Sequence, residues 1–157
     1  MSALVEQVNQ KLAETDNILV TAESCTGGLI AAAITELSGS SSVFDRGFVT
    51  YSNEAKIANL SVSPETLHRY GAVSEQTAKE MALGALNNSH GTIAISVTGI
   101  AGPTGGSDEK PVGLVYIGLC KKDEEPIAIK NNFDGDRTSV RTQTVETALN
   151  LILENLA

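Results

Sequence analysis

The feature that most constrains this chain is an apolar run that breaks into a glycine turn and then resumes. "NILVTA" (17–22) leads through "ESCTGG" (23–28) into "LIAAAITEL" (29–37). The first run is short and reads as a buried strand. The second is Ala-rich and apolar on most faces, so it reads as a well-buried helix. A strand that turns straight into a helix is the building unit of layered α/β folds. "TIAISVTG" (92–99) gives a second β-rich run, and it enters the long loop "IAGPTGGSDEKP" (100–111). Long loops in compact domains are often functional.

The rest of the chain fits the same plan. Leu4, Val5, Val8 and Leu12 recur at helical spacing. "VFDRGFVTYS" reads as a strand, and "NEAKIANL", "SPETLHRY" and "SEQTAKEMALGALNNS" read as helices. Ser63 and Ser74 are candidate caps, with Pro64 suited to a first helical turn. "VGLVYIGLC" and "EPIAIKNNF" flank the charged turn "KKDEE", as a hairpin does. Val145, Ala148, Leu149, Ile152 and Leu156 mark a last amphipathic helix, with Asp136 as its cap. The pattern predicts one α/β domain over 1–157, an α/β/α sandwich around a mixed β-sheet.

Composition narrows the function. A net charge of −8 argues against a broad basic face for nucleic acid. No apolar run approaches the roughly 20 residues that span a bilayer. The acidic, amphipathic N-terminus is unlike a signal peptide. Two cysteines, Cys25 and Cys120, make no disulfide framework and point to the cytoplasm. Two cysteines and two histidines, widely scattered, give no metal-ligand spacing. His68 and His90 read as surface residues, so no Ser-His-Asp triad is expected.

Several stretches can carry chemistry. In "AESCTGG", Ser24 and Cys25 stand before Gly27 and Gly28 at a strand-to-helix junction. Amides there can hold an anion, although a simple tight turn reads equally well. Neither the P-loop ending nor the G-x-S-x-G elbow is present. Tyr51 ends one strand and Lys56 lies on the next helix, so both can face one mouth. A lysine whose pKa is lowered by burial can serve a serine as base, and a tyrosine can donate to an oxyanion. An exposed surface lysine is the plain alternative. Ser38, Ser40, Ser41 and Ser42 offer further hydroxyls in a polar loop. Thr98, Gly99 and Gly102 open the long glycine loop, whose amides can form an anion nest. Arg137 and Arg141 share a face at the start of the last helix. They suit a phosphate or carboxylate, or equally salt bridges to Asp134, Asp136 or Glu146.

Taken together, "AESCTGG", "GSSSVFDRGFVTYSNEAK", "GAVSEQTA", "VTGIAGPTGGSDEKPVG" and "GDRTSVR" occur in this order over residues 22–141. The chain resembles the CinA C-terminal domain family (competence-damage-inducible protein). That resemblance implies a single α/β/α domain, often oligomeric, with no metal or organic cofactor. It implies an amidohydrolase that converts nicotinamide mononucleotide and water to nicotinate mononucleotide and ammonia, within NAD recycling. The pyrophosphatase activity associated with an additional N-terminal domain is not carried over. By the same resemblance, Ser24, Ser41, Tyr51 and Lys56 form the catalytic cluster. Thr98, Gly99 and Gly102 match the substrate loop, and Arg137 the arginine of "GDR", with Arg141 one helical turn on. Between the serines the reading leans to Ser41 as nucleophile, approaching Lys56 from across the pocket, with Ser24 positioning the amide or an anion. Cys25 is expected to pack in the core.

Rival classes are a nicotinamide-cofactor dehydrogenase, a non-catalytic nucleotide-binding module, and a hydrolase of another amide. The first lacks its G-x-G-x-x-G and its four-residue Tyr–Lys spacing. Homo-oligomerisation and a small nucleotide substrate are the partners expected.

Overall fold

A computed structural model describes residues 1–156. Ala157, the last residue of the expected 1–157 domain, lies outside the described residues. The elements run α1 (Ser2–Glu14), β1 (Leu19–Glu23), α2 (Leu29–Thr35), a short 3-10 turn (Ser40–Ser42) and β2 (Phe44–Val49). Then follow α3 (Asn53–Leu60), α4 (Pro64–Tyr70), α5 (Glu75–Asn87), β3 (Ile93–Gly99), β4 (Leu114–Lys121), β5 (Ile127–Asn132) and α6 (Arg137–Asn155).

The strands form one mixed sheet in the order β2-β1-β3-β4-β5. β1 pairs in parallel with β2 and β3, while β3–β4 and β4–β5 are antiparallel. The parallel pairs need helical crossovers, and α2, α3, α4 and α5 supply them. The last pair is the hairpin expected around "KKDEE".

Strand alternation sorts the core into two layers. Leu19, Ile93, Ile95, Val97, Val115 and Ile117 pack beneath residues of α1, α2 and α6. Val20, Ala22 and Ala94 face the other way, onto Leu60 of α3, Leu67 of α4 and Met81 of α5. Each fully buried aliphatic side chain contributes about 1.5–3 kcal/mol by leaving water. α5 passes so close to α3 that a Cβ on Gly84 would strike the Leu60 carbonyl, so only glycine fits there.

Two local expectations need correction. α2 is not buried on most faces: only Ile30 and Ile34 are, and Leu29 is 39% exposed. Its sheet-side neighbour β2 is an edge strand, so nothing among the described residues covers its outer side. Ser63 holds the cap position of α4 but makes no side-chain cap bond. Its amide instead donates to Glu80 Oε1 at 2.8 Å. Ser74 and Asp136 do cap, accepting from Thr77 and Ser139.

Candidate active site

The site begins with the phase of one strand. β1 places Leu19, Thr21 and Glu23 on one face and Val20 and Ala22 on the other, and Ser24 continues the second set. Its amide still pairs with the Val97 carbonyl at 3.1 Å. Ser24 therefore faces the α3 side, where Lys56 waits. Ser52 caps α3 by accepting from the Ala55 amide. That start turns Lys56, one turn in, beneath the helix, where only 1% of it is exposed.

Lys56 Nζ stands 3.1 Å from Ser24 Oγ, 3.0 Å from the Thr50 carbonyl and 3.4 Å from the Tyr51 carbonyl. Burial pushes its pKa below the ordinary 10.5, with a weak opposing pull from Cys25. A neutral amine has two N–H donors and one lone pair. In that neutral form the two carbonyls can take both donors, which leaves the lone pair for the Ser24 hydroxyl proton.

Ser24, Tyr51, Lys56, Thr98, Gly99 and Arg137 share the lining of a cavity of about 190 Å³. Arg137 joins its rim to the glycine loop: Nη1 donates to the Gly102 carbonyl at 2.8 Å and Nη2 to the Tyr51 hydroxyl at 3.1 Å. A second, more open cavity of about 450 Å³ lies against Arg137, lined by Ala101, Pro103 and Val112. Thr98 spends its hydroxyl on the Ala72 carbonyl at 2.8 Å, which fixes the turn beside the cavity. Gly99 lies against β4, where a Cβ would meet the Leu114 carbonyl at 2.8 Å. Gly102 enters through its carbonyl, which accepts from Arg137.

Four further expectations change. Ser41 does not approach Lys56 within the chain. It precedes β2 and Lys56 follows it, and the six-residue strand between them spans roughly 17 Å. Gly27 and Gly28 take left-handed conformations, φ 58° and 103°, and make the turn as expected. The anion at the start of α2, however, is the protein's own. Glu23 is 1% exposed; its Oε1 accepts from Thr26 Oγ1 and the Ile30 amide, and its Oε2 from the Ala31 amide, at 2.7–3.0 Å. Arg141 turns away from the cavity: Nε donates to the Cys25 carbonyl at 3.1 Å and Nη2 to the Thr26 carbonyl at 3.2 Å. Neither Arg137 nor Arg141 pairs with a carboxylate among the described residues.

Glu23 was not singled out from the sequence. The signal was available: an ionisable residue at the end of an otherwise apolar strand must find partners if it is buried. Asn53 and Val73, which also line the cavity, carried no such mark.

Cys25 packs as expected, 5% exposed in the core cluster beneath α6, and it also lines the Ser24–Lys56 cavity. Burial raises its thiol pKa from 9.0 to about 11. The thiolate is the reactive form. Iodoacetamide at neutral pH is therefore expected to leave Cys25 unmodified in the native protein and to alkylate it once unfolded. Peptide mass spectrometry reads both states.

Known proteins carry a similar architecture and a related sequence. The model of the CinA C-terminal domain matches residues 1–156. A protein named nicotinamide-nucleotide amidohydrolase PncC from Enterobacter agglomerans is 56% identical over 138 residues, 85% of this chain and 84% of that protein. Its namesake from Escherichia coli K12 is 51% identical over 93% of this chain and 88% of that one. A putative competence-damage inducible protein of Caldicellulosiruptor bescii is 51% identical, and this chain spans 37% of its length. Among solved structures, the competence/damage inducible protein CihA of Agrobacterium tumefaciens superposes with a TM-score of 0.91 at 48% identity. That match covers 96% of this chain and 94% of that one. A CinA superfamily protein from Klebsiella pneumoniae gives 0.95 at 37% identity, covering 99% and 96%. No helix among the described residues is long and apolar enough to cross a membrane. The chain belongs to the CinA C-terminal domain family.

Proposed function

We propose that this protein is a nicotinamide-nucleotide amidohydrolase, converting nicotinamide mononucleotide and water to nicotinate mononucleotide and ammonia. The observation that carries the reading is the buried Lys56 amine 3.1 Å from Ser24 Oγ in the cavity wall. It occurs in a chain 51–56% identical to proteins bearing that name.

The mechanism draws on side chains alone. Ser24 Oγ attacks the carboxamide carbon as its proton passes to Lys56 Nζ. The C–N bond then breaks, and Lys56 returns that proton to the departing nitrogen, which leaves as ammonia. Water attacks the resulting ester, again giving its proton to Lys56, which returns it to Ser24 Oγ. The carboxylate product departs. Tyr51 accepts a hydrogen bond from Arg137, so its own proton is free to meet the oxyanion.

Two of the five Arg137 donors are committed, to Gly102 and Tyr51. The remaining N–H groups, beside the open cavity, are the proposed phosphate ligands. Arg137→Ala is expected to raise KM for the mononucleotide about 10–100-fold, the worth of a charged hydrogen bond. KM for free nicotinamide should change far less, and steady-state ammonia release on both substrates reads the difference. Equal effects would reject the phosphate role.

The reading places the reaction in the cytoplasm and in a homo-oligomer. Val49 is 54% exposed on the edge strand beside the open face of α2, a surface suited to a second copy. Ser41 would then meet a Lys56 only from a neighbouring subunit. Ammonia release from the mononucleotide, beside a panel of amides with and without phosphate, tests the function. Binding of the mononucleotide without turnover would favour the non-catalytic module, and turnover of other amides alone a different hydrolase.

A further inference from the structure

The wall of the Ser24–Lys56 cavity holds one polar side chain that the proposed chemistry leaves idle. Asn53 lines that cavity, and its carboxamide bonds to no other group among the described residues.

Asn53 is the first residue of α3, and Lys56 follows three positions on. Residues three apart share a helix face, here the one that looks onto the cavity. Along the helix axis the two are about 4.5 Å apart, at roughly 1.5 Å per residue. The two ends of that face differ in depth. Lys56 is 1% exposed, whereas Asn53 is open to solvent, as Tyr51 is. Asn53 therefore stands at the mouth of the cavity and Lys56 at its floor.

A substrate that reacts at Ser24 puts its carboxamide on the floor. Its aromatic ring fills the space above, and the sugar on the ring nitrogen comes level with the mouth. The phosphate reaches one group further out, toward the uncommitted N–H groups of Arg137 and the open cavity beside it. Few polar partners are left at the level of the sugar. Arg137 can only donate. Tyr51 accepts from Arg137 and keeps its proton for the oxyanion. Thr98 gives its proton to the Ala72 carbonyl. Asn53 alone among these offers both an uncommitted acceptor and uncommitted donors. A vicinal diol asks for that pair: one hydroxyl donates to Oδ1, and its neighbour accepts from Nδ2–H. A carboxylate at this place would repel the phosphate and the carboxylate product, and the neutral amide does not.

We infer that Asn53 is a specificity-determining residue that binds the ribose 2′- and 3′-hydroxyls of the substrate. This rests on the amidohydrolase reading above. The sugar is then recognised independently of the phosphate, which belongs to Arg137.

The test is ammonia release by wild type and Asn53→Ala on nicotinamide mononucleotide, its 2′,3′-dideoxy analogue and nicotinamide riboside. Two neutral hydrogen bonds are worth roughly tenfold in binding. KM of the variant for the mononucleotide should therefore rise about tenfold with kcat within about twofold, because contacts made equally in the ground and transition states leave kcat alone. The wild type should lose a similar factor on the dideoxy analogue. The variant should not distinguish that analogue from the mononucleotide, since the group that reads the hydroxyls is gone. On the riboside the loss in Asn53→Ala should persist, whereas that in Arg137→Ala should vanish. The variant should fold, because Asn53 is exposed and the Ser52 side chain still caps α3. Matching thermal melts check this. A variant that discriminates against the dideoxy analogue as strongly as the wild type would overturn the inference. So would unchanged kinetics, or a loss confined to the mononucleotide, which would place Asn53 at the phosphate. A wild type that releases no ammonia from the mononucleotide would instead remove the amidohydrolase reading, and this inference with it.

Discussion

Lys56→Met is expected to reduce ammonia release from nicotinamide mononucleotide by about 1,000-fold or more. Methionine keeps the length and apolar stem of the lysine but has no lone pair to take a proton. Positioned proton transfer is worth about 10²–10⁴-fold, and here one amine serves in both halves of the reaction. The same variant should change how stability depends on pH. Burial lowers the folded pKa of Lys56 below 10.5, whereas the unfolded chain keeps the ordinary value. Between those two values the unfolded state binds the extra proton. Wild-type stability therefore rises with pH across that window, by at most about 1.4 kcal/mol per pH unit. Below the folded pKa both states are protonated, and the cost of burying the charge is felt in full. Lys56→Met lacks this slope, so the melting temperature of the wild type should gain on that of the variant as pH climbs toward 10.5. Parallel thermal melts read it. Identical pH dependence would mean that burial does not lower the pKa of the amine.

Ser24→Ala is expected to be more damaging to turnover, on the order of 10⁴-fold or more, because the attacking atom itself is gone. Binding should survive: affinity for the mononucleotide, by calorimetry, should stay within about threefold, since the proposed phosphate contacts lie at Arg137. Folding should also survive, because among the described residues the hydroxyl bonds only to Lys56, and its loss removes no core packing. An alanine variant that still turned over at the wild-type rate would move the nucleophile elsewhere, with Ser41 of a neighbouring copy next in line.

Much of the fold was legible because its signals are local. Apolar runs bounded by glycine gave the strands, and helical spacing with Ser74 and Asp136 gave the helices. The two-layer arrangement followed from their alternation. The exposed face of α2 was not legible, because "LIAAAIT" looks the same whether or not another layer covers it. That depends on β2 being an edge strand, a fact of sheet order.

The site divides in the same way. Tyr51 and Lys56 could be brought to one mouth from sequence, since a strand end and the next helix are adjacent in space. Ser41 was misplaced because proximity in sequence hid the direction of β2, which carries the chain away from Ser41 before it reaches Lys56. Arg141 looked like a ligand for an external anion, and the start of α2 like a site for one. The structure supplies partners for both from within: backbone carbonyls for the arginine and Glu23 for the helix. Sequence shows that a charge needs a partner; only the phase of β1 and the packing of α6 show which partner lies in reach.

The most direct test of the account is one assay on three folded proteins. Wild type, Ser24→Ala and Lys56→Ala are incubated with nicotinamide mononucleotide, and ammonia and nicotinate mononucleotide are measured together. The account predicts equal amounts of both products from the wild type and no more than background from either variant. A silent wild type, or a variant that keeps the wild-type rate, would contradict it.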